Sequence, residues 1–133
     1  MDLNTNVTGL QHLGIPCRDL DVSCAFYAKL GFKQIFATKF QDDAGHDGEA
    51  RFLTLGNLTL ELYVADKVAG KAGAIDHLAL NVQDIEAAFA AVNALGLNNT
   101  HDTIHQLPFF ERGVKFFTIE GPNQEKVEFN QYL

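Results

Sequence analysis

Four side chains in this sequence have donor chemistry and sit in repeated settings: His12, Glu61, His77 and Glu128. Two neutral imidazoles and two carboxylates make a mixed nitrogen and oxygen set for a divalent first-row cation, and the two negative charges balance the ion. Four protein donors around a six-coordinate ion leave two positions open for water or substrate. Taken singly, a histidine on a strand is more often a hydrogen-bonded structural residue, and a glutamate there usually marks the solvent side. Their coincidence at duplicated positions is what points to a metal.

The duplication is visible by self-comparison. A shift of 65 lays His12-Leu13-Gly14-Ile15 on His77-Leu78-Ala79-Leu80, Asp19-Leu20-Asp21 on Asp84-Ile85-Glu86, and Leu30-Gly31-Phe32 on Leu95-Gly96-Leu97. Leu60-Glu61-Leu62 matches Val127-Glu128-Phe129 at a shift of 67, a difference of two residues in loop length. The unit is too long for a solenoid repeat. It reads as two modules, about 8–65 and 74–133, joined through the Gly- and Ala-rich Ala65–Gly73 within a single domain, 1–133.

The elements that must position the four donors follow the same order in each copy. An opening strand is predicted at about 10–17 and 75–82, alternating and partly β-branched. Asp19 and Asp84 then stand where a helix N-cap belongs. Ile85, Ala88, Phe89, Val92 and Leu95 form one apolar helical stripe, and Gly31 and Gly96 end the two helices. Strands are predicted at Lys33–Phe40, Glu49–Leu55 and Leu58–Val64, then at Thr100–His105, Val114–Ile119 and Lys126–Gln131, with a tight turn at Gly56-Asn57. Each module is therefore β-α-β-β-β. The fold class is α+β, with curved, mostly antiparallel sheets and helices on the outer face.

Side chains alternate across a strand. Leu13, Ile15 and Cys17 share the helix-facing side with Leu60, Leu62 and Val64, so His12 and Glu61 take the other side. In the second copy Leu78, Leu80, Val82, Val127 and Phe129 face the helix, so His77 and Glu128 do not.

Composition closes off other classes. The chain has 133 residues, 47% hydrophobic and 20% charged, the balance of a soluble globular protein rather than a disordered, collagenous or coiled-coil one. No apolar run approaches the ~20 residues that cross a bilayer. The beginning, MDLNTNVTGL, lacks the basic and apolar blocks of a secretory signal, so a cytoplasmic location is expected. A net charge of -7 argues against nucleic acid and against anionic membrane surfaces as partners. Cys17 and Cys24 are expected to be buried, reduced thiols.

The remaining polar and aromatic residues divide less sharply. His101 and His105 read mainly as surface residues, the alternative being that one of them borders the pocket, and His46 reads as part of the polar loop Gln41–Gly48. The segment Leu107–Gly113 reads equally as a pocket wall, with Phe110 and an anion-binding Arg112, or as a loop anchored in the core by Phe109 or Phe110. Arg51 and Lys115 read as solvated strand ends, and Phe40, Phe52, Phe116 and Phe117 divide between core and pocket. No phosphate-binding loop, dinucleotide fingerprint or nucleophile elbow is present.

The strand starts at His12 and His77, the run Ser23-Cys24-Ala25-Phe26-Tyr27-Ala28-Lys29-Leu30-Gly31-Phe32 and the closing Gly121-Pro122-Asn123-Gln124-Glu125-Lys126-Val127-Glu128-Phe129 resemble the vicinal oxygen chelate superfamily over about 8–132. That group includes glyoxalase I, extradiol dioxygenases, methylmalonyl-CoA epimerase and the fosfomycin and bleomycin resistance proteins. The resemblance implies that its metal positions fall on His12, Glu61, His77 and Glu128, a set similar to that of glyoxalase I. The expected cofactor is a divalent ion, with Ni, Zn, Co, Mn and Fe all suited to such donors. The implied activity is that of a lyase or isomerase on a small chelating substrate, a 2-oxoaldehyde–thiol adduct type, through an enediolate. Glu128 is the expected base and Glu61 its counterpart. Alternatives within the group are a non-catalytic drug- or metabolite-binding resistance protein and an Fe(II) ring-cleaving dioxygenase. A homodimer with sites shared between chains is also implied. Two departures stand out. The closing turn lacks the usual Asp-Pro-Asp/Asn-Gly, so Asn123 is expected to take the left-handed conformation, and no glutathione-binding residues are recognisable.

Overall fold

The computed structural model describes residues 2–41 and 44–133. In chain order they form α1 (Leu3–Asn6), β1 (Leu13–Cys17), α2 (Leu20–Lys29), β2 (Lys33–Gln41), β3 (Asp47–Leu55), β4 (Leu58–Val64), β5 (His77–Asn81), α3 (Ile85–Ala94), β6 (His105–Leu107), β7 (Val114–Glu120) and β8 (Lys126–Tyr132). Two units divide the chain, Met1–Val68 and Ala69–Leu133. Each carries a four-stranded sheet, ordered β1-β4-β3-β2 in the first and β5-β8-β7-β6 in the second. The opening strand runs parallel to the closing strand, and the other neighbours are antiparallel. These are the tandem β-α-β-β-β modules of an α+β fold. No helix among the described residues is long and apolar enough to cross a membrane.

Helices α2 and α3 begin and end by the same local chemistry. The Asp19 carboxylate accepts the Val22 amide at 3.1 Å and the Asp84 carboxylate accepts the Ala87 amide at 3.0 Å. At the far ends Gly31 (φ +103°) and Gly96 (φ +70°) turn the chain left-handed. The Phe32 and Leu97 amides then reach back to the Tyr27 and Val92 carbonyls, at 3.1 and 3.0 Å, which satisfies the last helical acceptors. Phe32 packs edge-on against Tyr27 across that turn, ring centres 5.4 Å apart.

Helix α2 packs on β3 and β4, and α3 on β7 and β8. Beneath them Leu53, Leu60, Leu62 and Cys17 are buried in the first unit, and Phe117, Ile119 and Val127 in the second, where Ile85 of α3 is buried as well. Fully burying a side chain of this kind contributes about 1.5–3 kcal/mol, so these residues fix which face of each sheet meets its helix. The register then fixes the other face. Gly14 pairs with Glu61, and Ala79 with Glu128, on the sides opposite the helices.

Several expectations fail for identifiable reasons. The opening strands are shorter than predicted, because pairing with the closing strand starts only at Leu13 and His77. The strand expected at Thr100–His105 is instead β6, His105–Leu107. Side chains replace the ladder there: Asn99 exchanges hydrogen bonds with the Glu120 backbone, the Thr100 hydroxyl donates to the Thr118 carbonyl, and the Asp102 carboxylate accepts the Thr118 amide. Val64 and Leu95, at the ends of their elements, are half exposed rather than buried. Cys17 is fully buried, but Cys24 is only partly so. Arg51 is no solvated strand end. It lies mid-strand on β3 and bonds Asp21 at 2.8 Å and Glu49 at 3.2 Å, strapping the sheet to the first turn of α2. Lys115 does likewise through Glu86 at 3.1 Å. Phe109 and Phe110 do not anchor their loop in the core, being 54% and 76% exposed. In the closing turn the left-handed residue is Gln124 (φ +61°), not Asn123, whose amide instead donates to the Glu125 carboxylate. The loop containing His46 includes residues 42 and 43, which lie outside the described residues; His46 itself is exposed.

Candidate metal centre

Each unit brings one histidine and one glutamate together. In the first, His12 lies two residues before Gly14, on the face where Glu61 emerges, and His12 Nε2 stands 3.5 Å from Glu61 Oε2. In the second, His77 opens β5 and its Nε2 stands 3.3 Å from Glu128 Oε2. These separations are longer than a good N–H···O hydrogen bond. They match the spacing of two donors on one ion: bonds of about 2.0–2.2 Å at octahedral or tetrahedral angles leave the donors roughly 3.0–3.5 Å apart. Among the described residues no three His, Cys, Asp or Glu side chains gather as a complete metal site. The donors come as two pairs, one in each unit.

The second nitrogen of each ring is also engaged. His12 Nδ1 meets Gln11 Oε1 at 2.9 Å, and His77 Nδ1 meets Asp76 Oδ2 at 2.9 Å. A partner on Nδ1 fixes the tautomer that leaves the Nε2 lone pair for a cation, the arrangement typical of ligating histidines. Hydrogen bonds from His77 and from Lys126, whose Nζ is 3.1 Å from Asp76, hold the Asp76 carboxyl below the ordinary carboxylate range. Sequence reasoning missed Gln11 and Asp76. Their signal was their place immediately before each repeated histidine.

The surroundings of the pairs differ. Phe52, opposite Glu61 in the β3–β4 register, packs edge-on against the His12 ring at 5.5 Å, with Phe36 beyond it at 6.1 Å. Opposite Glu128 stands Thr118, and a cavity of about 460 Å³ opens there, lined by His77, Glu128, Thr118, His101, Asp102 and Glu120 among others. Burial pushes the Asp102 carboxyl up, but His105 Nε2 at 2.6 Å and the amides of Thr118 and Thr103 outweigh it and hold the group below its usual range. Of the four phenylalanines left undivided by sequence, Phe117 is core, Phe116 lines this cavity, Phe52 flanks His12 and Phe40 is exposed over Gly48. Phe110 and Arg112 line a separate depression of about 410 Å³ that shares no lining residue with the donor cavity; Phe110 packs there on Tyr132 at 5.0 Å.

Paired β-α-β-β-β modules, each with a His–Glu pair on its helix-free face, define a recognisable class. A family model described as the Glyoxalase/Bleomycin resistance protein/Dioxygenase superfamily matches residues 9–129, and the chain belongs to that superfamily. An uncharacterized protein of Bacillus subtilis (strain 168), YwbC, is 29% identical over 131 residues, covering 92% of this chain and 96% of the relative. Among solved structures, the glyoxalase family protein from Enterococcus faecalis aligns with a TM-score of 0.72 at 22% identity, covering 92% of this chain and 97% of that one. The fosfomycin resistance protein FosX from Listeria monocytogenes, solved with Mn(II) and sulfate, aligns with a TM-score of 0.68 at 15% identity, covering 96% and 94%. That FosX structure contains a divalent metal.

Proposed function

We propose that this chain is a metal-dependent lyase or isomerase of the glyoxalase type, acting on a small substrate of the 2-oxoaldehyde–thiol adduct kind. The observation that carries this reading is the repeated His–Glu pair at donor spacing, each histidine steadied through its other nitrogen. His12, Glu61, His77 and Glu128 are assigned as the four donors of one divalent first-row cation, drawn within a homodimer from both chains. These four residues would hold the cation, which would supply charge withdrawal from oxygens on two adjacent substrate carbons and so acidify the C–H of the hydroxyl-bearing carbon.

The chain's own part is proton transfer. Glu128 takes the proton from the hydroxyl-bearing carbon and returns it to the adjacent carbonyl carbon while the hydroxyl proton passes to the former carbonyl oxygen, so no outside oxidant or reductant is needed. Glu128 is preferred to Glu61 because its side chain is 13% exposed against 29%, better screened from water that would compete for the proton. The test pairs elemental analysis with turnover of the methylglyoxal hemithioacetal. Wild type should hold one ion per chain. Glu128→Gln should keep much of the metal and lose turnover by about 100- to 10,000-fold, the usual worth of a placed acid–base group. Full turnover in that variant removes Glu128 as the base, and an absence of bound metal removes the whole assignment.

A further inference from the structure

The loop between α3 and β6 holds one more imidazole over the cavity of the second donor pair. His101 lines it together with His77, Glu128, Thr118 and Glu120. Its backbone φ is +54°, a left-handed conformation that costs a residue bearing a Cβ. The loop is firmly held in that shape. On one side Asn99 and Thr100 bond the β7 main chain; on the other, Asp102 takes the Thr118 amide at 2.9 Å, and its own amide reaches Asn98 Oδ1 at 3.1 Å. Folding alone does not demand this. In the first unit the equivalent passage is made by β2, which pairs with β3 along its backbone apart from one irregularity between Gln34 and Phe36. Strain held in place at a cavity rim is a mark of use rather than of construction.

The neighbours say what an imidazole would meet there. A neutral histidine ring offers one donor and one acceptor, and a carboxylate only accepts. A hydroxyl group suits that combination, because it accepts from His101 while donating to Glu120. A phosphate or carboxylate would instead meet the carboxylates of Glu120 and Asp76, which also line the cavity, and the Lys126 ammonium is already engaged by Asp76 at 3.1 Å.

We infer that His101 is a substrate-binding residue which, with Glu120, reads a hydroxyl group on the part of the substrate lying beyond the His77–Glu128 pair. This rests on that pair being metal donors. It narrows the substrate to a neutral, hydroxyl-bearing compound and excludes a strongly anionic thiol conjugate.

Three matched probes test it on the full chain loaded with Mn(II), with binding read from water-proton relaxation so that no turnover is required. Dihydroxyacetone carries the distal hydroxyl, hydroxyacetone lacks it, and dihydroxyacetone phosphate replaces it with an anion. Wild type should bind dihydroxyacetone about fivefold to tenfold more tightly than hydroxyacetone, the worth of one well-placed hydrogen bond, and bind the phosphate no better than hydroxyacetone. His101→Gly relieves the left-handed strain, so it should melt at or above the wild-type temperature while its preference falls within about twofold. His101→Gln, which keeps a donor and an acceptor, should lie between. An undiminished preference in His101→Gly, no preference in wild type, or tighter binding of the phosphate each overturns the inference while leaving the donor assignment standing. A wild-type protein that takes up no Mn(II) overturns both.

Discussion

The strand that follows the helix is nine residues long in the first module and three in the second, yet the His–Glu pairs of the two modules agree to within 0.2 Å, 3.5 against 3.3 Å. Two copies of one ancestor have kept their donor geometry and let their pocket walls diverge. Around His12 the wall is aromatic, built of Phe52 and Phe36; around His77 it is polar, built of Thr118, Glu120 and the pinned loop. Even the orienting partners differ, a neutral amide from Gln11 in one and a carboxylate from Asp76 in the other. Under the proposed assignment, one cation shared by His12, Glu61, His77 and Glu128 accounts for what was kept, and substrate recognition for what changed.

The largest effect is expected where that comparison is sharpest. Replacing His77 with Ala should weaken metal binding by more than about 100-fold, above the range seen for orienting residues alone. Asp76→Asn should cost about 10- to 100-fold, because it removes the negative charge that hydrogen-bonds the His77 ring. Gln11→Ala should fall below about tenfold, since its amide orients His12 without adding charge. Competition with a chromophoric chelator ranks all three. A larger loss from Gln11 than from Asp76 would reverse the comparison, and equal losses would mean that the partners only fix ring orientation.

How much of this was legible beforehand depends on which interactions carried each element. The helix ends were readable because Asp19, Asp84, Gly31 and Gly96 act on amides and carbonyls within a few residues of themselves. The donor face was readable because strand alternation against Leu60, Leu62, Val127 and Phe129 leaves Glu61 and Glu128 only one side to occupy. The second module's edge was not. Nothing local says that Asn99, Thr100 and Asp102 will bond a strand some 16 to 21 residues further on instead of joining a ladder. Arg51 was misread for the same reason, since its partner Asp21 belongs to the preceding helix. His101 was read mainly as a surface residue and Asp102 was passed over, because their setting depends on that same long-range pinning.

Asp102 gives the next effect down. Its carboxylate takes the Thr118 and Thr103 amides and the His105 ring, and Asp102→Asn should lower stability near neutral pH by about 1–3 kcal/mol. The sign of the pH dependence follows from its lowered pKa. Its stabilisation is fully present above the unfolded value of about 3.9 and disappears as pH falls through the still lower folded value. Denaturant melts of wild type and Asp102→Asn should therefore be far apart at pH 6 and converge toward pH 3. A gap that stays constant would mean that the network holds β7 without its charge. The first module, whose β2 edge is held mainly by its backbone ladder, should show no comparable acid-sensitive contact on substitution of Gln34 or Lys39.

The smallest effect concerns the closing turn, where the second module departs from its family's sequence. Gln124 sits at φ +61°, a position that glycine occupies at less cost, and Gly121 precedes it where a Cβ would meet the Glu125 carboxyl. That carboxylate accepts the Asn123 amide at 2.8 Å, so the turn is closed from within by Glu125. Gln124→Gly should therefore raise stability by up to about 1 kcal/mol, the left-handed penalty of a Cβ less the added freedom of the unfolded chain. Gly121→Asp, although it restores the residue usual in the family, should destabilise unless Glu125 is shortened as well. Thermal melts of Gly121→Asp, Glu125→Ala and the double variant separate the cases: the double variant should recover most of the loss of Gly121→Asp. Simple additivity of the two changes would show that they do not share the turn, and that the departure from the family pattern carries no compensation.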